Sequence, residues 1–349
     1  MIASQERLID EAISHAVDLT HYSNGLVRRM RALLSSVDAD LVRQLAAVLE
    51  RADPSSFTVR RLEELLQGVH ALDAQIQDRA SRMLARETAD LAEYEYNYQN
   101  KLFGPEIRSP TFQQVLSATT VKPFQGKLMA EWFDALSARR QARLQSAVAT
   151  GFTEGRTIDE IVRTVRGTKA QGYKDGILQV GRREAEAIVR TAVSHTAASV
   201  REEMYKDNAD LFTTEEWVST LDSSTTPICQ VRDGLKYTAE THDPIGHKVP
   251  WGAGPGRIHW GCRSTSVPVM REGFFAALNL PPGERASVDG PVSADTKYGA
   301  WLTRQSAARQ DEVLGPTRGR MLRSGAIKFD RFFNREGRFL TLEQLKSAL

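Results

Sequence analysis

Apolar side chains recur every three to four positions through much of the first hundred residues, and this period commits that stretch to long amphipathic helices. Leu41, Leu45, Val48 and Leu49 fall on one helical face, and Leu62, Leu65, Leu66, Val69, Leu72 and Ile76 make a second stripe. Asp53-Pro54 separates the two, because a proline ring disfavours the helical conformation at the residue before it. Tyr94, Tyr96 and Tyr98 alternate at period two, which no single helix face supplies. That spacing suits a helix end or an extended stretch, with packing as the preferred role of the three rings.

Gly104-Pro105 and Ser109-Pro110 mark a loop, after which helical patterning returns over 111–119 and from about 125 to 149. Thr157 followed by Glu160 is a capping box, so a short helix is predicted to start there, run to about Val165 and stop at Gly167. The next helix, about 180–207, puts Val189, Val193, Thr196, Val200 and Met204 on one face. From Thr213 the character changes, and 213–221, 235–237 and 264–269 read as short strands. Between them, 242–261 holds Pro244, Pro250, Pro255 and five glycines, too many breakers for regular structure.

A polar linker is expected after Pro282-Gly283, then a basic helical region around 301–314, then a last helix opened by the capping box Thr341–Gln344. The predicted fold class is α+β and predominantly α-helical. Residues 1–178 form a helical N-terminal region, 179–270 a small α+β core with a short antiparallel sheet, and 271–349 a linker and basic C-terminal helical segment.

Charge is segregated along the chain although the total is close to neutral, with 46 basic and 44 acidic residues in 349. Residues 1–100 carry 11 Lys/Arg against 16 Asp/Glu, whereas 139–183 carry 10 against 4 and 301–349 carry 10 against 5. Blocks of excess positive charge suit a surface lying near nucleic acid, and solvated helix faces with incidental bias give the same counts. Two cysteines are too few for a disulfide-stapled secreted domain, and residues 1–11 lack the basic and apolar regions of a secretory signal, so synthesis in a cytoplasm is expected. No run approaches the length of apolar sequence that a membrane-crossing helix needs.

Both cysteines fall in the densest group of chemistry-bearing residues: Asp222, Cys229, Asp233-Gly234, His259, Cys262 and Arg263. His259 and Cys262 have the two-residue spacer of metal ligands on one turn, with Cys229 and Asp222 as further donors, a composition that suits zinc. Only three Cys/His ligands lie nearby, and two buried thiols, or a disulfide formed late, are the alternatives. Asp222 and Asp233 beside His259 also permit a metal-dependent nuclease. Hydrolase, zincin and P-loop motifs are absent, and Ser194-His195, adjacent on one helix, point to different sides.

At this cluster the sequence resembles the phage Mu F-like head morphogenesis (minor capsid) family. The resemblance rests on Arg190-Thr191 and the residues up to Thr196, the run from Trp217 to Cys229, the Asp233-Gly234 turn, and His259 to Pro268. It covers about 180–270, and Trp301 to Gln305, Gln310 to Arg318 and Leu340 to Leu345 resemble the tail that follows this domain in related minor head proteins. Many members carry Cys where this chain has Thr226 and Ser264.

The resemblance implies a minor capsid protein inside the virion head, near the portal and against packaged DNA, without catalytic activity. It implies the portal protein, major capsid or scaffolding protein and double-stranded DNA as partners, and no membrane. A toxin-like effector carried in the head is the alternative alongside the nuclease. Within the core, Arg190, Thr191, Trp217, Asp233, Gly234 and Arg263 are expected to fix the loops, with Arg190 pairing Asp222 and His259 bonding loop backbone. The acidic helices suit packing against partner helices, and Arg318, Arg320, Arg323 and Lys328 are candidate phosphate contacts.

Overall fold

The computed structural model describes residues 5–50, 59–104, 107–270 and 283–347. Among the described residues, eleven α-helices and six short strands make a predominantly α-helical α+β protein. The chain forms two compact units from non-contiguous stretches. One comprises Met1–Thr20, Ala92–Thr119 and Ser194–Leu349, the other His21–Leu91 and Thr120–Val193. The expected break at Asp53-Pro54, together with Pro105 and Pro282, lies outside the described residues, as do the side chains of Val48 and of the stripe Leu62 to Ile76. No helix among the described residues is long and apolar enough to cross a membrane.

The helices are α1 (Gln5–Glu50), α2 (Val59–Phe103), α3 (Phe112–Val121), α4 (Met129–Thr153), α5 (Ile158–Arg166) and α6 (Ile177–Lys206). In the second unit, Leu41, Leu45 and Leu49 of α1 meet Leu144 and Val148 of α4, Ile161, Val162 and Val165 of α5, and Leu178 of α6. The capping box of α5 forms: the Thr157 hydroxyl accepts from the Glu160 amide, and the Glu160 carboxylate accepts from the Thr157 amide at 2.7 Å. The helix ends at Gly167, whose φ of 93° and whose close approach to the Gly176 backbone both require a residue without Cβ.

Helix α4 starts later than the apolar pattern suggests. Phe124 and Lys127 close a tight turn with reciprocal backbone bonds of 3.0 and 3.2 Å, and Gln125 and Gly126 take positive φ, so helix begins only at Met129. Part of the charge segregation is resolved inside this unit. Arg140 of α4 is buried between Asp38 of α1 and Asp73 of α2, each at 2.6 Å, and Arg182 of α6 also reaches Asp38, at 2.7 Å.

In the first unit, Tyr94, Tyr96 and Tyr98 belong to the continuous helix α2, which corrects the reading as a helix end or extended stretch. Tyr94 and Tyr98, four apart and so on one face, stack on His15, while Tyr96 turns elsewhere, donating to the Pro110 carbonyl and packing on Phe112. Leu8, Ile9 and Ile13 of α1, Ala92 and Phe103 of α2, and Val200, Met204 and Tyr205 of α6 form a core with Phe212 and Val218.

Those last two residues bound β1 (Phe212–Val218), which with β2 (Lys236–Thr238), β3 (Pro244–Ile245) and β4 (Thr265–Met270) forms an antiparallel sheet ordered β3-β2-β1-β4. The one-turn helix α7 (Pro227–Gln230) sits between β1 and β2 in the chain. The linker expected after residue 283 is instead a hairpin, β5 (Glu284–Ser287) paired with β6 (Gly290–Ser293). Its strand pattern is concealed because the residue that turns inward on β5 is Arg285, which is buried.

The basic helical region begins at Tyr298 and divides into α8 (Tyr298–Thr303), α9 (Ala307–Leu314) and α10 (Pro316–Arg323). Ser306 caps α9, and Gly315-Pro316 separates it from α10. A second capping box, Thr341 with Gln344, opens α11 (Leu342–Lys346). Tyr298, Trp301, Leu302, Leu314, Leu322, Phe332 and Leu345 pack together with Leu221.

Candidate functional site

Sheet and loops converge on a buried cluster of Trp217, Cys229, Tyr237, Trp251 and Cys262. Trp217 crosses the Trp251 ring edge-on at 5.2 Å, and the Arg232 guanidinium lies 5.7 Å over the Trp217 ring while donating to the Pro250 and Ile228 carbonyls. His242 stacks on Trp251 at 4.5 Å. The breaker-rich segment 242–261, expected to lack regular structure, contributes the two-residue strand β3, and beyond it the segment is fixed by side chains.

Ser219, just past β1, organises the polar side of this cluster. Trp217 Nε1 donates to its hydroxyl at 3.0 Å, and that hydroxyl donates to the Cys229 carbonyl at 2.9 Å. The Ser219 amide donates to Asp233 at 2.7 Å. Asp233 also accepts from the Arg285 guanidinium and from the Tyr298 amide at 2.7 Å, so one buried carboxylate joins the end of β1, strand β5 and the start of α8. Gly234 follows with φ 74° and the Lys297 side chain against it, a conformation that favours glycine.

Cys229 on α7 and Cys262, from the turn that leads into β4, bring their sulfurs to 3.7 Å, and both thiols are free. His259 Nε2 lies 3.1 Å from Cys229 Sγ and 2.8 Å from the Thr226 hydroxyl, and its Nδ1 lies 3.0 Å from the Trp260 carbonyl. The donor atoms of Cys229, His259 and Cys262 all fall within 4.8 Å of one another. Burial disfavours charge on Cys262, but hydrogen bonds from Cys229 and His259 and the charge of His259 outweigh it and hold that thiol well below the ordinary range. Its hydrogen bond to Cys262, then burial, pushes Cys229 up.

Asp222 stands apart from this trio. Both its oxygens accept from Arg263, at 2.6 and 2.8 Å, and the Ser224 amide and Thr225 hydroxyl donate to it as well. The Arg190 guanidinium donates to Asn24 at 2.6 Å. Thr191 is buried and returns its hydroxyl to the Ala187 carbonyl of its own helix.

Asp222 and Asp233, the carboxylates a nuclease reading would use, are thus each bound to a guanidinium. Of the candidate phosphate contacts, Arg320, Arg323 and Lys328 are exposed, with Arg323 also 2.8 Å from Asp311. Arg318 turns inward, donating to the Leu340 carbonyl at 2.7 Å and lying 4.8 Å over the Phe339 ring. Sequence reasoning missed Ser219, Arg285 and Tyr298. None has a motif spacing, and only the inward position of Arg285 in a short alternating segment could have pointed to it.

Comparison with curated proteins and with solved structures finds no match for the chain. Among family models, that of the Phage Mu protein F like protein matches residues 142–267. The match takes in α5 and about the second half of α4, upstream of the segment 180–270 that carries the resemblance, and stops before the tail at 301–345. It covers the whole loop core from Trp217 to Arg263, including Cys229, His259 and Cys262. Over residues 142–267 this chain is thus similar to the Phage Mu protein F like family, the one its sequence motifs resemble.

Proposed function

We propose that the chain is a minor head protein of a phage virion that sits inside the head at the portal, helps head assembly and DNA packaging or delivery, and touches DNA without reading its sequence. The family match over residues 142–267 is the observation that carries this reading. The core it covers suits a structural part, because its charged side chains hold loops together.

DNA contact is supported by the exposed basic side chains Arg320, Arg323, Lys328, Arg331, Arg335 and Arg338 of the C-terminal segment. The earlier basic block is a weaker candidate, because Arg140 and Arg182 neutralise Asp38 and Asp73 internally. Portal contact is supported by the apolar residues Val17 of α1 and Tyr94 of α2, which the first unit leaves 42% and 54% exposed.

Filter binding of the purified chain to unrelated duplexes tests the DNA reading. Binding should fall linearly in log affinity against log salt, with a slope of about −0.9 per phosphate neutralised. Retention of one duplex only, or no retention at low salt, overturns it. For the portal, Val17→Glu with Tyr94→Glu should lower the copies incorporated into proheads; unchanged incorporation would reject that surface. Deleting residues 1–100 would not serve, because Leu8, Ile13, Leu41 and Leu45 belong to the cores of the two units.

A further inference from the structure

We propose that Cys229, His259 and Cys262 bind one Zn²⁺ ion that ties α7 to the turn before β4. The site is independent of the head-protein reading, since it rests on donor chemistry and geometry alone. Two sulfurs on a tetrahedral zinc, each about 2.3 Å from the metal, stand about 3.8 Å apart. Cys229 and Cys262 place theirs at 3.7 Å, well beyond the roughly 2.05 Å of a disulfide.

The histidine is oriented as a ligand should be. Its Nδ1 lies 3.0 Å from the Trp260 carbonyl, so a proton carried there in the metal-bound state would leave Nε2, 3.1 Å from Cys229 Sγ, to coordinate the ion. Two thiolates and an imidazole form a soft to borderline set that selects zinc over magnesium or calcium. The sulfurs are buried and the imidazole is partly exposed, so the ion has a path in from the histidine side.

Asp222 is not the fourth ligand, because Arg263 occupies both of its oxygens. Three protein donors leave one position for water beside the Thr226 hydroxyl, which stands 2.8 Å from Nε2. Each thiol surrenders its proton on binding, so two protons are released when both begin protonated and uptake weakens as pH falls. The clip would close a loop of about thirty residues whose regular structure is slight, and coordination would slow oxidation of the thiol pair to a disulfide.

The test is metal analysis of the full-length chain, purified without a histidine tag or chelator, followed by Co²⁺ titration of the metal-stripped protein. The expected result is about one zinc per chain, and tetrahedral cobalt bands with sulfur-to-metal charge transfer that saturate at one equivalent. Cys229→Ser, His259→Ala and Cys262→Ser should each lose stoichiometric metal, while Asp222→Ala keeps it. Because the cysteine variants can misfold, the wild-type titration decides by itself. Absence of sulfur-to-metal bands, saturation away from one equivalent, or a Cys229–Cys262 disulfide in the isolated native protein overturns the proposal. Full metal retention in folded His259→Ala overturns the assigned ligand set.

Discussion

Arg285 reaches across fifty-two residues of sequence to place its guanidinium 2.7 Å from Asp233, with both side chains buried. A buried charge left without its partner costs about 3–5 kcal/mol, more than the net worth of the intact pair. Asp233→Ala should therefore destabilise the chain by about that amount in urea unfolding. Asp233→Leu with Arg285→Met should cost clearly less than the sum of the single changes. Additive losses would show that the two residues contribute separately.

The same pair shows where sequence reading stops. Thr157 with Glu160 and Thr341 with Gln344 announce their helices because capping is local chemistry at a fixed offset, and both boxes form. Strands β1, β2 and β4 are legible because their apolar and β-branched residues are short-range signals. The hairpin 284–293 is not, because its inward residue is an arginine whose partner lies on a distant turn. The Cys229, His259 and Cys262 trio was visible as residue types at metal-like spacing. That Asp222 is withdrawn from it by Arg263, adjacent to Cys262 in sequence, depends on tertiary geometry that spacing does not encode.

Asp222 and Arg263 make stability depend on acid. Burial raises the Asp222 carboxyl pKa, but the Arg263 hydrogen bonds and charge outweigh it and hold the carboxyl below its ordinary value of 3.8. A depressed folded-state pKa gives stability that is fully present above the unfolded value and lost as pH falls through the folded one. The pair is partly exposed, so its share is about 1 kcal/mol or less. Asp222→Asn should accordingly flatten the acid limb of the stability curve below about pH 4 and lower stability slightly at pH 7. An unchanged acid limb would contradict this.

Thr157 offers a test confined to the second unit. Its hydroxyl and the Glu160 carboxylate satisfy amides at the start of α5, and Ile161 and Val165 of that helix belong to the unit's core. Thr157→Ala should cost about 1 kcal/mol, with faster hydrogen exchange at the Glu160 and Ile161 amides, while Thr157→Asp restores most of the loss. Exchange that stays at the wild-type rate in Thr157→Ala would rule out the cap as a contributor.

Arg318 and Arg320 lie two residues apart on α10 but should fail in different ways. Arg318 holds the Leu340 carbonyl and covers the Phe339 ring, joining α10 to the chain that leads into α11. Arg318→Ala removes a charge-assisted bond and a cation–π contact together, so a loss of about 1–3 kcal/mol in stability is expected. Arg320 and Lys328 are exposed, and Arg320→Ala with Lys328→Ala should leave thermal stability within about 0.5 kcal/mol of wild type. If these two side chains meet phosphates, the double variant should also reduce the salt slope of DNA binding by about two, equally for every duplex. An unchanged slope would remove α10 and its following turn from the DNA surface. A stability loss in the double variant as large as that of Arg318→Ala would show that these side chains are structural as well.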